Sequence, residues 1–132
     1  MHNLYLAIFA AALAAWIFGA VYYGVLGKVW QRAQGLDPEA CKGQKMPITP
    51  MVVSFTSELV MAFIFLHILS ALGVHSWQDG LVIGLMIGIA FMATTNLVNT
   101  LFQGKSIMLA VIDSGHWVAV AMIEGVVLNL LA

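Results

Sequence analysis

Three carboxylates and one histidine, Glu58, Asp113, His116 and Glu124, stand inside long apolar stretches. An acid at the centre of a membrane helix costs about 2.5 to 3.5 kcal/mol on insertion scales, so such groups need a partner or a wet cavity. Carrying protons or ions is the usual use of ionisable groups in that setting. Asp113 and His116 also have the i, i+3 spacing of carboxylate-bundle metal sites. Those sites take two such pairs and two further carboxylates. Here there is one pair, with Glu58 on another segment and Glu124 eleven residues beyond Asp113. A di-metal centre fails on ligand number. His67 and His116 fall at different depths, which does not suit a bis-histidine haem. Neither a metal nor a cofactor is expected. Ser114 precedes Gly115 and His116, but neighbours on a helix point apart and no strained elbow surrounds the serine. With no phosphate-binding glycine loop either, nothing argues for an enzyme.

The segments that carry these groups follow from hydropathy. The 132 residues suit one compact unit. They are 62% hydrophobic and 8% charged, with a mean hydropathy of +0.98. A soluble domain of this size could not hide so much apolar surface. Crossing a bilayer takes roughly 20 apolar residues, and four stretches qualify, at about 4–26, 48–72, 81–102 and 107–131. They are too long, and alternate too little, for a membrane barrel. The expected fold is all-α, a single four-span membrane bundle. Pro47 and Pro50 open the second span, where missing amide donors cost little.

Every Lys and Arg lies in the first connection (Lys28, Arg32, Lys42, Lys45) or the third (Lys105). Positive residues stay cytoplasmic, so loops one and three are expected inside and both termini outside, in the periplasm of a bacterium. The first span is read as retained, because its positive charge follows the apolar run instead of preceding it as in a signal peptide. The net charge of −1 and the lack of a basic stripe exclude nucleic acid as a partner. The lone Cys41 forms no internal disulfide and lacks the companions of a zinc or redox motif.

Depth and phase then gather the polar residues. Glu58 is ten residues past Ile48, which places it roughly 15 Å deep, on one face with Ser54. Counted from Ser106, His116 lies at a similar depth, so the two are expected partners. Asp113, Asn96 and Asn99 come next toward the cytoplasmic side. Asp113, Trp117 and Glu124 share a stripe. In the third span Gly80, Gly84 and Gly88 recur every four residues, and at 100° per residue Gly84, Gly88, Thr95 and Asn99 share a face. This face serves either close helix packing or a polar site lined by Thr95, Asn96 and Asn99. Ala11, Ala12, Ala15 and Gly19 make a similar flat face on the first span. Trp30, Trp77 and the tyrosines suit the membrane interface, whereas Trp16 and Trp117 are deeper packing residues.

The exit of the first span, Gly19 through Tyr22-Tyr23-Gly24 to Gly27-Lys28-Val29-Trp30, resembles the bacterial membrane family catalogued as domain of unknown function 1761. Asp113-Ser114-Gly115-His116-Trp117 is similar in place to a polar motif in that family's last span. In the family pattern as read here, Trp is expected at the position of Tyr22 and a neutral amide at that of Asp113. The resemblance implies a multi-pass protein of the bacterial inner membrane and no particular mechanism.

Three uses of the cluster of Ser54, Glu58, Thr95, Asn96, Asn99, Asp113, His116 and Glu124 remain open. It could hold the bundle in register through interhelical hydrogen bonds with Glu58 protonated, form a proton- or ion-coupled path for a small solute, or bind a metal or cofactor. The first fits an accessory subunit that packs against a partner. The second implies at least a homodimer, because four short spans make a thin pathway.

Overall fold

The computed structural model describes residues 3–45 and 47–132. Four helices in it are long and apolar enough to cross a membrane: α1 Leu4–Ala33, α2 Ile48–Leu72, α3 Trp77–Phe102 and α4 Ile107–Leu131. No strand occurs among the described residues. Twenty-five residues, the length of α2 and of α4, reach about 37 Å at 1.5 Å per residue, enough for a hydrocarbon core of about 30 Å. The fold is that of a multi-pass membrane protein.

Local chemistry sets the helix ends. Asn3 Oδ1, Ser76 Oγ and Ser106 Oγ accept from the amides of Leu6, Asp79 and Leu109 at 3.2, 3.1 and 3.2 Å, each filling one orphan donor of a first turn. Pro47 precedes α2, and Gly73, at φ 69°, ends it in the left-handed conformation that glycine adopts without steric cost. α2 and α4 keep the bounds expected from hydropathy. α1 and α3 do not. α1 runs on past Leu26 to Ala33 because its ladder continues until Gly35, at φ 84°. α3 starts at Trp77, four residues before Leu81, because Ser76 supplies its cap.

α4 is the hub against which the other three helices pack, and α1 also packs against α2. Small residues make the closest approaches. A β-carbon built at Gly80 would run into the Gly125 carbonyl, and one at Gly125 into the Gly80 carbonyl. One at Gly84 would meet the Ala121 carbonyl, and one at Gly88 would stand 2.8 Å from Val118 Cα. The glycine face of α3 is therefore a backbone-to-backbone contact with α4, the geometry small residues permit in a bilayer. Ala11, Ala12, Ala15 and Gly19 of α1 are all buried. Ala7, Ile8 and Ala11 join Ala62, Phe65, Leu66, Leu69 and Leu128 in the apolar core.

α3 is not uniform. Gly88–Ala93 forms a π-helical segment, whose i→i+5 bonding takes in extra backbone. Ser114 on α4 donates to the Ala93 carbonyl at the end of that segment, at 3.4 Å, in the way side-chain hydroxyls satisfy displaced backbone groups in membrane helices.

Candidate functional site

Two segments, one near the end of α1 and one in the middle of α4, build the site between them. Tyr23 and Trp30 are seven residues apart on α1, two helical turns, and so share a face. Both donate to the same atom, Asp113 Oδ1, from Tyr23 Oη at 2.6 Å and Trp30 Nε1 at 3.0 Å. Tyr22 Oη donates to the Ile112 carbonyl at 2.6 Å. Gly115 leaves room for it, since a β-carbon there would stand 3.0 Å from Tyr22 Oη.

This clamp fixes the imidazole one turn further along. His116 is 6% exposed and is boxed by rings. Phe18 stacks on it at 6.2 Å between centroids, and Tyr22, Tyr23 and Trp117 surround it at 5.7, 5.0 and 4.6 Å. Gly19 completes the box, because a β-carbon there would lie 2.8 Å from His116 Nε2. His116 Nδ1 is buried without a hydrogen-bond partner.

Beside the imidazole a cavity of about 210 Å³ opens between α1, α2 and α4. Its wall includes Trp16, Tyr23, Ser54, Glu58, His116 and Trp117. Trp16 Nε1 donates to Ser54 Oγ at 3.2 Å and to the Met51 carbonyl at 3.1 Å, which ties α1 to the first turns of α2. Glu58 is 1% exposed, and its Oε2 has no hydrogen-bond partner. A buried carboxyl oxygen left unpaired is costly, and Glu58 makes no interhelical hydrogen bond through that atom.

Residues 6–129 match the family described as Protein of unknown function (DUF1761). The chain belongs to the DUF1761 family. No curated protein and no solved structure matches it. The two DUF1761-like segments quoted above, far apart in sequence, are the two halves of the Asp113 clamp and the His116 box. Both donors converge on one carboxyl oxygen, and the carbonyl of a neutral amide could accept them equally well.

The expected site residues fall into three groups. Ser54, Glu58 and His116 meet at the cavity, with Asp113 held one turn away. Glu58 and His116 line the same space without hydrogen-bonding each other, so neither partners the other directly. Glu124 is 1% exposed, with Oε2 unpartnered. It lies apart from Asp113 at a second, largely apolar space of about 220 Å³ between α2, α3 and α4, within electrostatic reach of Glu58. The third group is the polar patch of α3. Asn96 Nδ2 donates to Ser114 Oγ at 3.1 Å and to the Ala110 carbonyl at 3.3 Å, and Thr100 is buried. Thr95 and Asn99 are exposed instead. One extra residue in the π segment moves the α4-facing stripe on by a position, from Thr95 and Asn99 to Asn96 and Thr100.

Tyr22, Tyr23 and Trp30, assigned to the interface by their place near a span end, hydrogen-bond to α4 at the candidate site instead. The seven-residue spacing of Tyr23 and Trp30 within the DUF1761-like segment was the available signal. Among the described residues no three His, Cys, Asp or Glu side chains gather as metal ligands. The ion pair found there, Lys42 with Glu39 at 2.9 Å, is in the exposed first loop.

Proposed function

We propose that this DUF1761 protein binds a small solute in the cavity between α1, α2 and α4 and couples that binding to protonation of Glu58. The observation that carries the reading is the Glu58 carboxyl, almost fully buried and unpaired at Oε2 on the wall of an aromatic-lined cavity. Ionisable groups at membrane depth serve ion and proton pathways by default. The rigid clamp on Asp113 supports this reading, because it positions His116 while leaving Glu58 free to gain and lose a proton. The protein sits in the inner membrane with loops one and three cytoplasmic and works as a homodimer. Exposed Thr95 and Asn99 on α3 are polar groups that such an interface would take up.

Trp16 and Trp117 line the cavity and report on it without any added ligand. Titrating the purified protein in detergent should change its tryptophan fluorescence through a protonation step. Glu58→Gln, which keeps the shape and cannot titrate, should remove that step while preserving the fold. An identical titration in the variant would sink the assignment of Glu58 as the proton site. Mass in mild detergent tests the homodimer, and a monomer would overturn it.

A further inference from the structure

Donors and acceptors on the cavity wall are unevenly spent, and the imbalance speaks to the charge of the ligand. Trp16 Nε1 is committed to Ser54 Oγ and the Met51 carbonyl. The Ser54 hydroxyl donates to the Met51 carbonyl at 2.9 Å, and the Tyr23 hydroxyl donates to Asp113. No Lys or Arg lines the space, and Lys28 and Arg32 lie beyond Tyr23 on the last turns of α1. The Glu58 carboxyl and the His116 imidazole remain, with Oε2 and Nδ1 unpartnered, and with them the ring surfaces of Trp16, Tyr23 and Trp117. An anion would meet a carboxylate with no compensating cation, in a setting where burying an unpaired charge is prohibitive. A cation would meet a counter-ion and electron-rich rings, the combination that recognises ammonium groups.

Resting on the proposed solute-binding role, we infer that the cavity takes a small organic cation of the alkylammonium class, seated between Glu58 and the rings of Trp16, Tyr23 and Trp117. The volume, about 210 Å³, is below the 300 to 1,000 Å³ usual for drug-sized ligands and limits the ligand to a compact one. Ala20, exposed at the rim between the cavity and the outer surface of α1, marks an entrance from the membrane side. No group facing Glu58 supplies a standing positive charge. Tyr23 of α1 and Glu124 of α4 carry no positive charge, Asp113 is held by its two donors, and His116 becomes cationic only on protonation. Protonating Glu58 or His116 therefore works against the cation, and the cation and the proton compete for the site.

The experiment measures binding to the full chain in detergent by tryptophan fluorescence and calorimetry. Its three probes are similar in shape and differ in charge: tetramethylammonium, trimethylacetate and neopentyl alcohol. Tetramethylammonium should bind saturably, more tightly as pH rises, and Glu58→Gln should weaken it by about tenfold or more. Ala20→Phe, a change at the exposed rim, should block it without unfolding the bundle and gives the same reading if the Gln variant fails to fold. Equal or tighter binding of trimethylacetate or the alcohol, blocked by Ala20→Phe, would overturn the cationic class and leave solute binding in place. Cation binding that is indifferent to both substitutions would overturn the site. Silence of all three probes would overturn the inference, and only the simultaneous loss of the Glu58-dependent fluorescence titration would take the proposed function with it.

Discussion

Gly84→Ala and Gly24→Ala make the same chemical change in two helices and should move stability in different directions. Alanine is favoured over glycine in a helix interior by about 1 kcal/mol, and both variants gain that. At Gly24 nothing lies within 4 Å of the new methyl, so the gain stands alone. At Gly84 the methyl carbon would sit 2.8 Å from the Ala121 carbonyl carbon and 2.9 Å from Met122 Cα. Non-bonded carbons prefer about 3.5 to 4.0 Å, a deficit of roughly 0.6 to 1.2 Å. The obstructing atoms are backbone, so no rotamer change relieves the overlap and α3 must move away from α4. Overpacking of this kind costs about 1 to 3 kcal/mol. Because the propensity gain cancels in the comparison, Gly84→Ala should be less stable than Gly24→Ala by about 1 to 3 kcal/mol. Unfolding in mixed micelles of rising denaturing-detergent content, followed by circular dichroism, measures that difference. Two variants of equal stability would mean that α3 and α4 do not meet backbone to backbone, and the register of the site on α4 would fall with that contact.

Other perturbations test the site and the topology. Gly19→Ala should be less stable than Gly24→Ala by about 1 to 3 kcal/mol in the same unfolding assay, because the new methyl meets His116 Nε2 and must displace the ring; equal stability of the two would show that the imidazole is not packed against Gly19. Asp113→Asn should be nearly silent in stability, since one carbonyl oxygen can accept from both Tyr23 and Trp30, whereas Asp113→Leu should cost about 1 to 3 kcal/mol for each donor left unpaired; equal losses in both variants would refute the clamp. Cys41 should react with a membrane-impermeant maleimide only once the cytoplasmic face is opened, and labelling of intact cells would reverse the proposed orientation.

Much of this arrangement was legible in the sequence. The bounds of α2 and α4 could be read because hydropathy and end chemistry coincide at Pro47, Gly73 and Ser106. The shared level of Glu58 and His116 followed from counting residues at 1.5 Å each, which holds while α2 and α4 are regular and start from the same side. The limits of α1 and α3 were not legible from hydropathy, because a helix ends where its hydrogen bonds end and not where its apolar run does. The face of α3 beyond Gly88 was misjudged for a related reason. Counting at 100° per residue carries no allowance for a π segment, and nothing in Gly88–Ala93 announces one. The clamp on Asp113 lay hidden because an aromatic near a span end suits both lipid headgroups and a polar partner. Composition does not separate the two.

The π segment has a mechanical consequence. It holds about one residue of slack in the middle of α3, and Ser114 keeps that slack in place through the Ala93 carbonyl. Returning those residues to regular α-helix would rotate Thr94–Phe102 by about 100° against Trp77–Ile87, whose glycines are locked on α4. Thr95 and Asn99 would then swing toward Ser114, and Asn96 and Thr100 would turn outward. α3 is thus a shaft whose glycine half is fixed on α4 and whose polar half takes its angle from the π segment. Deleting a single residue between Gly88 and Ala93 would remove the slack and leave Asn96 and Thr100 facing α4 on a regular helix.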